Sequence, residues 1–253
     1  MQVTSYFSNF QIFITAYGSK IFKHLEPAAL PSYATTPSNL IFFYASILIL
    51  RFVDLMIQIK AVIFDLGGVV INYDNKEYYK YLSKESKAKF SEVKKIIEQK
   101  TLPDFEKGKI TLKQFESKVA KDLHISKEKV MWLKFYKKTV KFNYDVIELI
   151  KILHKDYTIA FLSNIDKSRY SFTMKLLDLN LFDFRFTSCY LKLRKPDLLI
   201  YKNVMKKLNL KQKEAIFIDN MVENIKSANK AGLIGIHFKS RRKLDIALYK
   251  HNL

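Results

Sequence analysis

Residues 61–68 read Ala-Val-Ile-Phe-Asp-Leu-Gly-Gly, a short apolar run that ends on an acid and two glycines. An apolar run of this length without polar interruption is typical of a strand buried on both faces of a helix-covered sheet. The same pattern recurs three times further along the chain, accompanied by amphipathic, helix-like segments. The sequence therefore predicts an α/β fold with an open, mostly parallel sheet. The predicted strands are 61–64, 158–162, 215–218 and 234–238, and the predicted helices of this region are 145–154, 170–177, 196–208 and 222–231.

Residues 72–144 interrupt this pattern and contain no predicted strand. Their amphipathic periodicity indicates helices, and Thr111 with Gln114 fits a capping box at the start of one of them. We therefore expect an all-helical cap at 72–144, inserted into an α/β core formed by 56–71 and 145–253. The predicted helical runs of the cap are 89–100, 111–123 and 126–140.

Residues 1–55 form a lead segment whose composition differs from that of the rest of the chain. Its apolar run, 40–50, is too short for a membrane-spanning helix, and Arg51 and Asp54 interrupt its extension. We expect a poorly structured or weakly hydrophobic lead without membrane association. An alternative is that the functional protein starts at Met56.

The chain of 253 residues carries a net charge of +20, but only six of its 44 basic residues are arginine. Nucleic-acid readers rely on arginine for bidentate contacts, so we expect a lysine-rich surface and no specific nucleic-acid partner. The single cysteine, Cys189, excludes an internal disulfide and a thiolate metal site. This cysteine usage favours a cytoplasmic location.

Polar side chains follow three of the predicted strands at the point where each strand ends. Asp65 follows the first strand, Ser163 and Asn164 follow the second, and Asp219 and Asn220 follow the third. Ligands of open α/β sheets bind outside the carboxyl ends of the strands, so these side chains mark a candidate site.

Lys195 precedes Pro196, a residue that suits the first position of a helix. A lysine at a helix N-terminus is electrostatically unfavourable. A nearby anion would reverse the sign of that interaction, so Lys195 is a candidate member of the same site.

The ordered set Asp65, Ser163, Lys195 and Asp219 resembles the four motifs of the haloacid dehalogenase superfamily of phosphohydrolases, over about 57–239. Within this family the chain looks most like the branch of glucose-1-phosphate phosphatase-like enzymes and the N-terminal phosphatase domain of soluble epoxide hydrolases. The resemblance implies a Rossmann-like core with an inserted helical cap. The function it implies is a magnesium-dependent phosphatase acting on a small phosphorylated metabolite. The stretches that carry the narrower likeness are Asp65-Leu-Gly-Gly-Val, Leu162-Ser-Asn, Lys195-Pro-Asp and the segment from Asp219 to Ile225.

The resemblance implies that Asp65 attacks phosphorus and forms an aspartyl-phosphate, which water then hydrolyses. Lys195 would balance the charge of the phosphate and the carboxylates. Ser163, Asn164 and Gly68 would bind the phosphoryl group. Gly68 also has a plain structural explanation, because glycine permits a tight turn.

The magnesium ligands implied by the resemblance are Asp65, the backbone carbonyl of Gly67, and an oxygen of Asp219 or Asn220. Carboxylate and carbonyl oxygens suit this hard cation. Glu223 would act on the metal through a water molecule. The acids could instead be ordinary strand-end residues that satisfy turn amides.

Three positions depart from the family pattern. Gly67 stands where many members carry a second aspartate that serves as general acid and base, and Asp74 or a metal-bound water is a candidate replacement. Asn220 replaces a position that is more often a carboxylate, so weaker metal binding is expected. Lys192 stands where the family usually has a turn glycine.

These departures keep two alternative functions open. A catalytically impaired member would bind phosphorylated ligands or a partner protein, and a haloacid dehalogenase would use the same aspartyl-ester chemistry on carbon without a metal. The cap is expected to set substrate choice as a lid over the strand ends. Residues 105–108, Tyr73, Trp132 and Tyr136 are candidates to line the enclosed space or, equally, to pack between helices.

Overall fold

The computed structural model of the protein describes residues 58–253. The expectations for the lead segment 1–55 and for a start at Met56 fall outside this range. Within it, none of the helices has both the length and the apolar character that crossing a membrane requires.

Five parallel strands form the central sheet, in the order β5-β4-β1-β6-β7. The expected α/β fold with a mostly parallel, Rossmann-like sheet is confirmed, and the four predicted strands are present with ends shifted by at most one residue. The strands are β1 (Ala61–Phe64), β2 (Ile71–Asn72), β3 (Lys141–Phe142), β4 (Thr158–Ser163), β5 (Phe184–Thr187), β6 (Ala215–Asp219) and β7 (Ile234–His237).

Helices cover both faces of the sheet and build the insertion. The α-helices are α1 (Asn75–Ser86), α2 (Phe90–Lys95), α3 (Leu102–Glu106), α4 (Leu112–Asp122), α5 (Trp132–Thr139), α6 (Tyr144–Leu153), α7 (Lys167–Thr173), α8 (Ser188–Leu191), α9 (Leu198–Lys207), α10 (Val222–Ala231) and α11 (Arg241–Tyr249). A π-helical turn spans Ile96–Thr101, and 3₁₀ turns span Lys127–Lys129 and Leu179–Leu181.

The side chains of β1 alternate between two apolar clusters, one on each face of the sheet. Val62 and Phe64 belong to the first cluster, while Ala61 and Ile63 belong to the second, and all four are buried. Burial on both faces explains why this strand reads as an uninterrupted apolar run. The run ends at Asp65, the residue that follows β1.

The segment between β2 and β3 is helical, apart from its two ends, and packs around an apolar cluster of its own. The capping box at Thr111 and Gln114 is present. The expectation that residues 72–144 lack a strand was wrong at the ends of the segment, where β2 and β3 pair antiparallel. Helix α1 was not predicted, because its sequence is rich in charge and buries only Tyr78, Tyr79 and Leu82.

The predicted start of α9 at Pro196 was wrong. Asp197 is the N-cap residue and accepts a hydrogen bond from the backbone N–H of Leu199, so the helix begins at Leu198. Strand β5 was missed because Phe184 and Arg185 are exposed and Arg185 interrupts its apolar run.

Candidate active site

Lys195, Asp65 and Asp219 form a buried ion cluster at the carboxyl ends of β1 and β6. The Lys195 Nζ atom lies 2.9 Å from Asp65 Oδ1 and 2.7 Å from Asp219 Oδ2. The relative exposure of the three residues is 1%, 6% and 0%, respectively. Parallel pairing of β1 with β6 in register brings the two carboxylates together, since Phe64 lies opposite Ile218 and each is followed by an aspartate.

Two carboxylates share one ammonium in this cluster, which leaves a buried excess of negative charge. Burial raises the pKa of Asp65 to about 7; the Lys195 ammonium opposes this rise and the Asp219 carboxylate adds to it. Burial alone would lower the pKa of Lys195, but attraction to Asp65 and Asp219 outweighs it and raises that pKa. The lysine therefore stays charged, while Asp65 titrates near neutrality.

Asp219 is held by three donor groups. Oδ2 accepts from Lys195 Nζ, Oδ1 accepts from the Met221 N–H at 2.8 Å, and the Asn224 side-chain amide donates to both oxygens at 2.9–3.0 Å. Asn224 was not singled out as a site residue from the sequence. The feature that could have identified it is the burial of a polar residue in the first turn of α10, on the side that faces the core. Glu223, the predicted water-mediated metal contact, is exposed in the same turn, and its role stays a prediction.

Asn164 clamps the main chain of Lys195. Its Nδ2 donates to the Lys195 carbonyl and its Oδ1 accepts from the Lys195 N–H, both at 2.9 Å. Both polar atoms of the amide are thus engaged, which makes Asn164 a positioning residue in this structure; phosphate binding by its side chain stays a prediction. Ser163, the last residue of β4, is buried beside it.

Gly68 and Asn220 pack directly against each other. A Cβ atom on Gly68 would lie 2.3 Å from Asn220 Nδ2, and Gly68 has a φ of 80°, so this position requires glycine. The Gly68 N–H donates to the Ile71 carbonyl at 2.7 Å and closes the turn that follows β1. The Asn220 side chain therefore lies against the turn that follows β1 and Asp65.

Tyr73 occupies the space that a side chain at position 67 would need. A Cβ atom on Gly67 would lie 3.0 Å from Tyr73 Oη and 3.2 Å from its ring. Burial raises the pKa of Tyr73, so its hydroxyl stays protonated at neutral pH. Asp74, the candidate replacement acid, is exposed and accepts from the Lys76 N–H as the N-cap of α1.

A second charge cluster joins the helical insertion to helix α7 and to the loop that precedes α9. Glu106 at the end of α3 accepts from Arg169 Nη2 at 3.1 Å and from Arg194 Nε at 2.6 Å. Arg169 also pairs with Asp166, which accepts from Trp132 Nε1. Nothing in the sequence pattern pointed to this cluster, because its members are spread over four separate segments.

The aromatic residues whose role was left open surround Arg169. The rings of Tyr73, Trp132 and Tyr136 lie 4.8–5.7 Å from the centre of its guanidinium group, within the range of cation–π attraction. Trp132 and Tyr136 are buried. These side chains therefore pack around an internal cation.

The site offers few carboxylate groups that could bind a metal ion. In residues 58–253, no group of three or more histidine, cysteine, aspartate and glutamate side chains could hold a metal ion. The groups proposed as metal ligands nevertheless all offer oxygen atoms, which hard cations prefer. The excess negative charge of the ion cluster would also favour binding of a cation. The residues present fit a hard cation that keeps several water ligands.

Comparison with known proteins identifies the family. A family model described as haloacid dehalogenase-like hydrolase matches residues 59–232. The chain is 25% identical over 182 residues to the sesquiterpene phosphatase astK of Aspergillus oryzae, and the match covers 70% of this chain and 89% of that protein.

Two solved structures share the fold. A HAD-like family hydrolase from Porphyromonas gingivalis has a TM-score of 0.65 and 21% identity, with 76% of this chain and 97% of that chain covered. A HAD family enzyme from Bacteroides thetaiotaomicron, in complex with magnesium and inorganic phosphate, has a TM-score of 0.61 and 23% identity, with 72% and 94% covered. Because the family model spans more than half of the sequence, the protein belongs to the haloacid dehalogenase-like hydrolases.

Proposed function

We propose that this hydrolase is a magnesium-dependent phosphatase that cleaves a small phosphomonoester through an aspartyl-phosphate on Asp65. The observation that carries the proposal is the buried contact of Lys195 with both Asp65 and Asp219 at the strand ends. The similarity to astK, a phosphatase by name, and to an enzyme in complex with magnesium and inorganic phosphate supports it. The narrower branch, near glucose-1-phosphate phosphatases and epoxide hydrolase domains, stays a prediction.

Asp65 is the nucleophile in this proposal. Its Oδ1 accepts from the Leu66 N–H at 2.7 Å and lies 2.9 Å from Lys195 Nζ, which fixes the carboxylate and leaves Oδ2 to attack phosphorus. A carboxylate attacks only when ionised, and the pKa of Asp65 is about 7. The ammonium of Lys195 therefore has two roles, because it stabilises the ionised form of Asp65 and attracts the phosphate dianion.

Magnesium would be held by the Asp65 carboxylate, the Gly67 carbonyl and the Asn220 side-chain oxygen. The ion neutralises charge on the phosphate and orients it when bound. Asp219 was predicted as a further ligand, but its oxygens already accept from three donor groups. We propose that Asp219 acts mainly by holding Lys195, and that direct ligation requires one of those donors to move.

Two further residues support the phosphoryl group and the lysine. We assign the Ser163 hydroxyl, at the end of the neighbouring strand, to a hydrogen bond with a phosphoryl oxygen. Asn164 holds the Lys195 main chain through its two hydrogen bonds and thereby keeps the ammonium between the carboxylates. Loss of Asn164 should lower the rate without removing a reacting group.

The helical segment 72–144 acts as a cap over a core of 56–71 and 145–253 in this proposal. Glu106 of this segment accepts a hydrogen bond from Arg194, the neighbour of Lys195. The insertion therefore contacts the loop that carries the lysine of the site. Helical segments at such a position exclude water and select the substrate. The proposed substrate is a small phosphorylated metabolite.

Phosphate release tests this function. The purified chain is incubated with a panel of phosphorylated metabolites, with magnesium or with EDTA, beside the variants Asp65→Asn and Asp74→Asn. We expect magnesium-dependent release by the unsubstituted chain and by Asp74→Asn, and none by Asp65→Asn. Release that is unaffected by Asp65→Asn would contradict the proposal.

One observation favours the impaired-member alternative: the Tyr73 side chain lies only 3.0–3.2 Å from the position that a Cβ atom on Gly67 would take. Under this alternative the chain binds phosphorylated ligands but does not hydrolyse them. Calorimetric binding of a panel compound, combined with no phosphate release at any pH between about 5 and 9, would favour it over the phosphatase.

A further inference from the structure

A cleft of about 360 Å³ opens beside the catalytic lysine, between the loop that follows α3 and the loop that precedes α9. The first wall carries Lys107 and Lys109, and the second carries Lys192, Arg194 and the buried Lys195. Among the lining residues within 58–253, Asp197 is the only carboxylate, and its Oδ1 caps α9. A concave surface lined by one sign of charge concentrates oppositely charged ligands.

The cations of this cleft are only partly neutralised. Arg194 is paired with Glu106 at 2.6 Å, which holds its wall in place. Lys107 and Lys109 share a single carboxylate, Asp104, at 3.8 Å and 3.5 Å, distances too long for strong ion pairs between partly exposed groups.

Lys192 spans the cleft. Its Nζ donates to the Gly108 carbonyl on the opposite wall at 2.9 Å, and no carboxylate in the described part of the chain lies within ion-pair distance of it. Lys192 has a left-handed backbone with a φ of 60°, a conformation that glycine adopts more readily. This position therefore carries backbone strain that a glycine would avoid, and its side chain places an ammonium group in the cleft.

We propose that this cleft is an anion subsite that takes a second phosphate group of the substrate. The inference rests on the proposed phosphatase function, because the first phosphate must lie at Asp65. Lys195 belongs to both places: it lines the cleft, and its Nζ is 2.9 Å from Asp65 Oδ1. A substrate with two phosphate groups would span from the nucleophile to Lys107 and Lys192, whereas a monophosphate would leave these cations unused.

The test compares short alkanediol bisphosphates of increasing chain length with the matching hydroxyalkyl monophosphates. Affinities are measured by calorimetry on Asp65→Asn in the presence of magnesium, so that binding is read without turnover. We expect one or more bisphosphates to bind at least about 10-fold more tightly than their monophosphate partners, as charge-assisted hydrogen bonds to a phosphate predict. When Lys107→Met and Lys192→Met are added to Asp65→Asn, the ratio of bisphosphate affinity to monophosphate affinity should fall to less than about 3-fold.

Two controls keep the comparison specific. Lys206→Met removes an exposed lysine of α9 outside the cleft and should leave the preference unchanged. Lys192→Gly removes the charge and also the left-handed strain, so a folding defect would not account for the loss of preference in this variant. Equal affinities for bisphosphates and monophosphates at every chain length would overturn the inference, and so would a preference that survives loss of Lys107 and Lys192.

Turnover by the unsubstituted chain separates the two proposals. Hydrolysis of monophosphates together with no bisphosphate preference in binding refutes the subsite and leaves the phosphatase intact. Tight bisphosphate binding that depends on Lys107 and Lys192, with no hydrolysis of any ester, supports the subsite and refutes the phosphatase.

Discussion

Replacement of Lys195 by methionine should destabilise the protein strongly and in a pH-dependent manner. The substitution removes the only ammonium within ion-pair distance of both Asp65 and Asp219 in the described part of the chain. Each contact, at 2.7–2.9 Å, corresponds to about 6 kcal/mol of Coulomb attraction at an effective dielectric constant of about 20. Much of this attraction offsets the cost of burying the charges, so the expected loss is about 3–5 kcal/mol at pH 8.

The loss should be smaller at pH 6, because Asp65 can then take up a proton. The pKa of Asp65 is already raised to about 7, and removal of Lys195 raises it further. A folded-state pKa above the unfolded value means that the folded state binds more protons, so stability falls as pH rises toward the folded pKa. The variant continues to lose stability above pH 7, where the unsubstituted chain levels off, and this adds about 1 kcal/mol to the difference at pH 8.

Thermal unfolding in EDTA at pH 6 and pH 8 measures both effects. A loss of about 3–5 kcal/mol corresponds to a decrease in Tm of roughly 6–20 °C for a domain of this size. Lys206→Met, which removes an exposed lysine, should change Tm by about 1 °C or less at either pH. A decrease that is the same at both pH values, or no larger than that of Lys206→Met, would refute the reasoning about the buried cluster.

Three other substitutions test the surroundings of the cluster. Asn164→Ala removes both hydrogen bonds to the Lys195 main chain and should lower kcat about 10-fold while changing KM little, as measured by phosphate release; an unchanged kcat would contradict the positioning role. Gly68→Ala places a Cβ atom 2.3 Å from Asn220 Nδ2 at a φ of 80°, and should lower the free energy of unfolding by at least about 1 kcal/mol in denaturant titrations. Glu106→Gln leaves Arg169 and Arg194 without their shared carboxylate and should cost about 3–5 kcal/mol, whereas Glu128→Gln, at an exposed position without an ion pair in residues 58–253, should be neutral.

The sequence was sufficient to predict four of the five strands of the central sheet and the members of the ion cluster. Strands buried on both faces appear as continuous apolar runs, and three of the four predicted runs ended at a polar residue that the structure places at the carboxyl end of the sheet. Parallel pairing then brings Asp65 and Asp219 together, because Asp65 follows β1, Asp219 ends β6, and the two strands are neighbours in the sheet. The strand ends were therefore predictable within one residue.

Contacts between side chains of distant segments were not predictable in the same way. Glu106 contacts Arg169 and Arg194, although 63 and 88 positions separate it from them along the chain. No local pattern specifies such contacts, since they depend on how separate elements pack. Strand β5 was missed for another reason, because its first two residues are exposed and Arg185 interrupts the apolar run by which the other strands were recognised.

The most direct test of the central claim is the identity of the residue that receives the phosphoryl group. A single-turnover reaction with a substrate found in the panel is quenched in acid, and the peptides are analysed by mass spectrometry. We expect one phosphoryl group on the peptide that contains Asp65, and none on that peptide in Asp65→Asn. A phosphoryl group on another residue, or full turnover by Asp65→Asn, would contradict the assignment of Asp65 as the nucleophile beside Lys195 and Asp219.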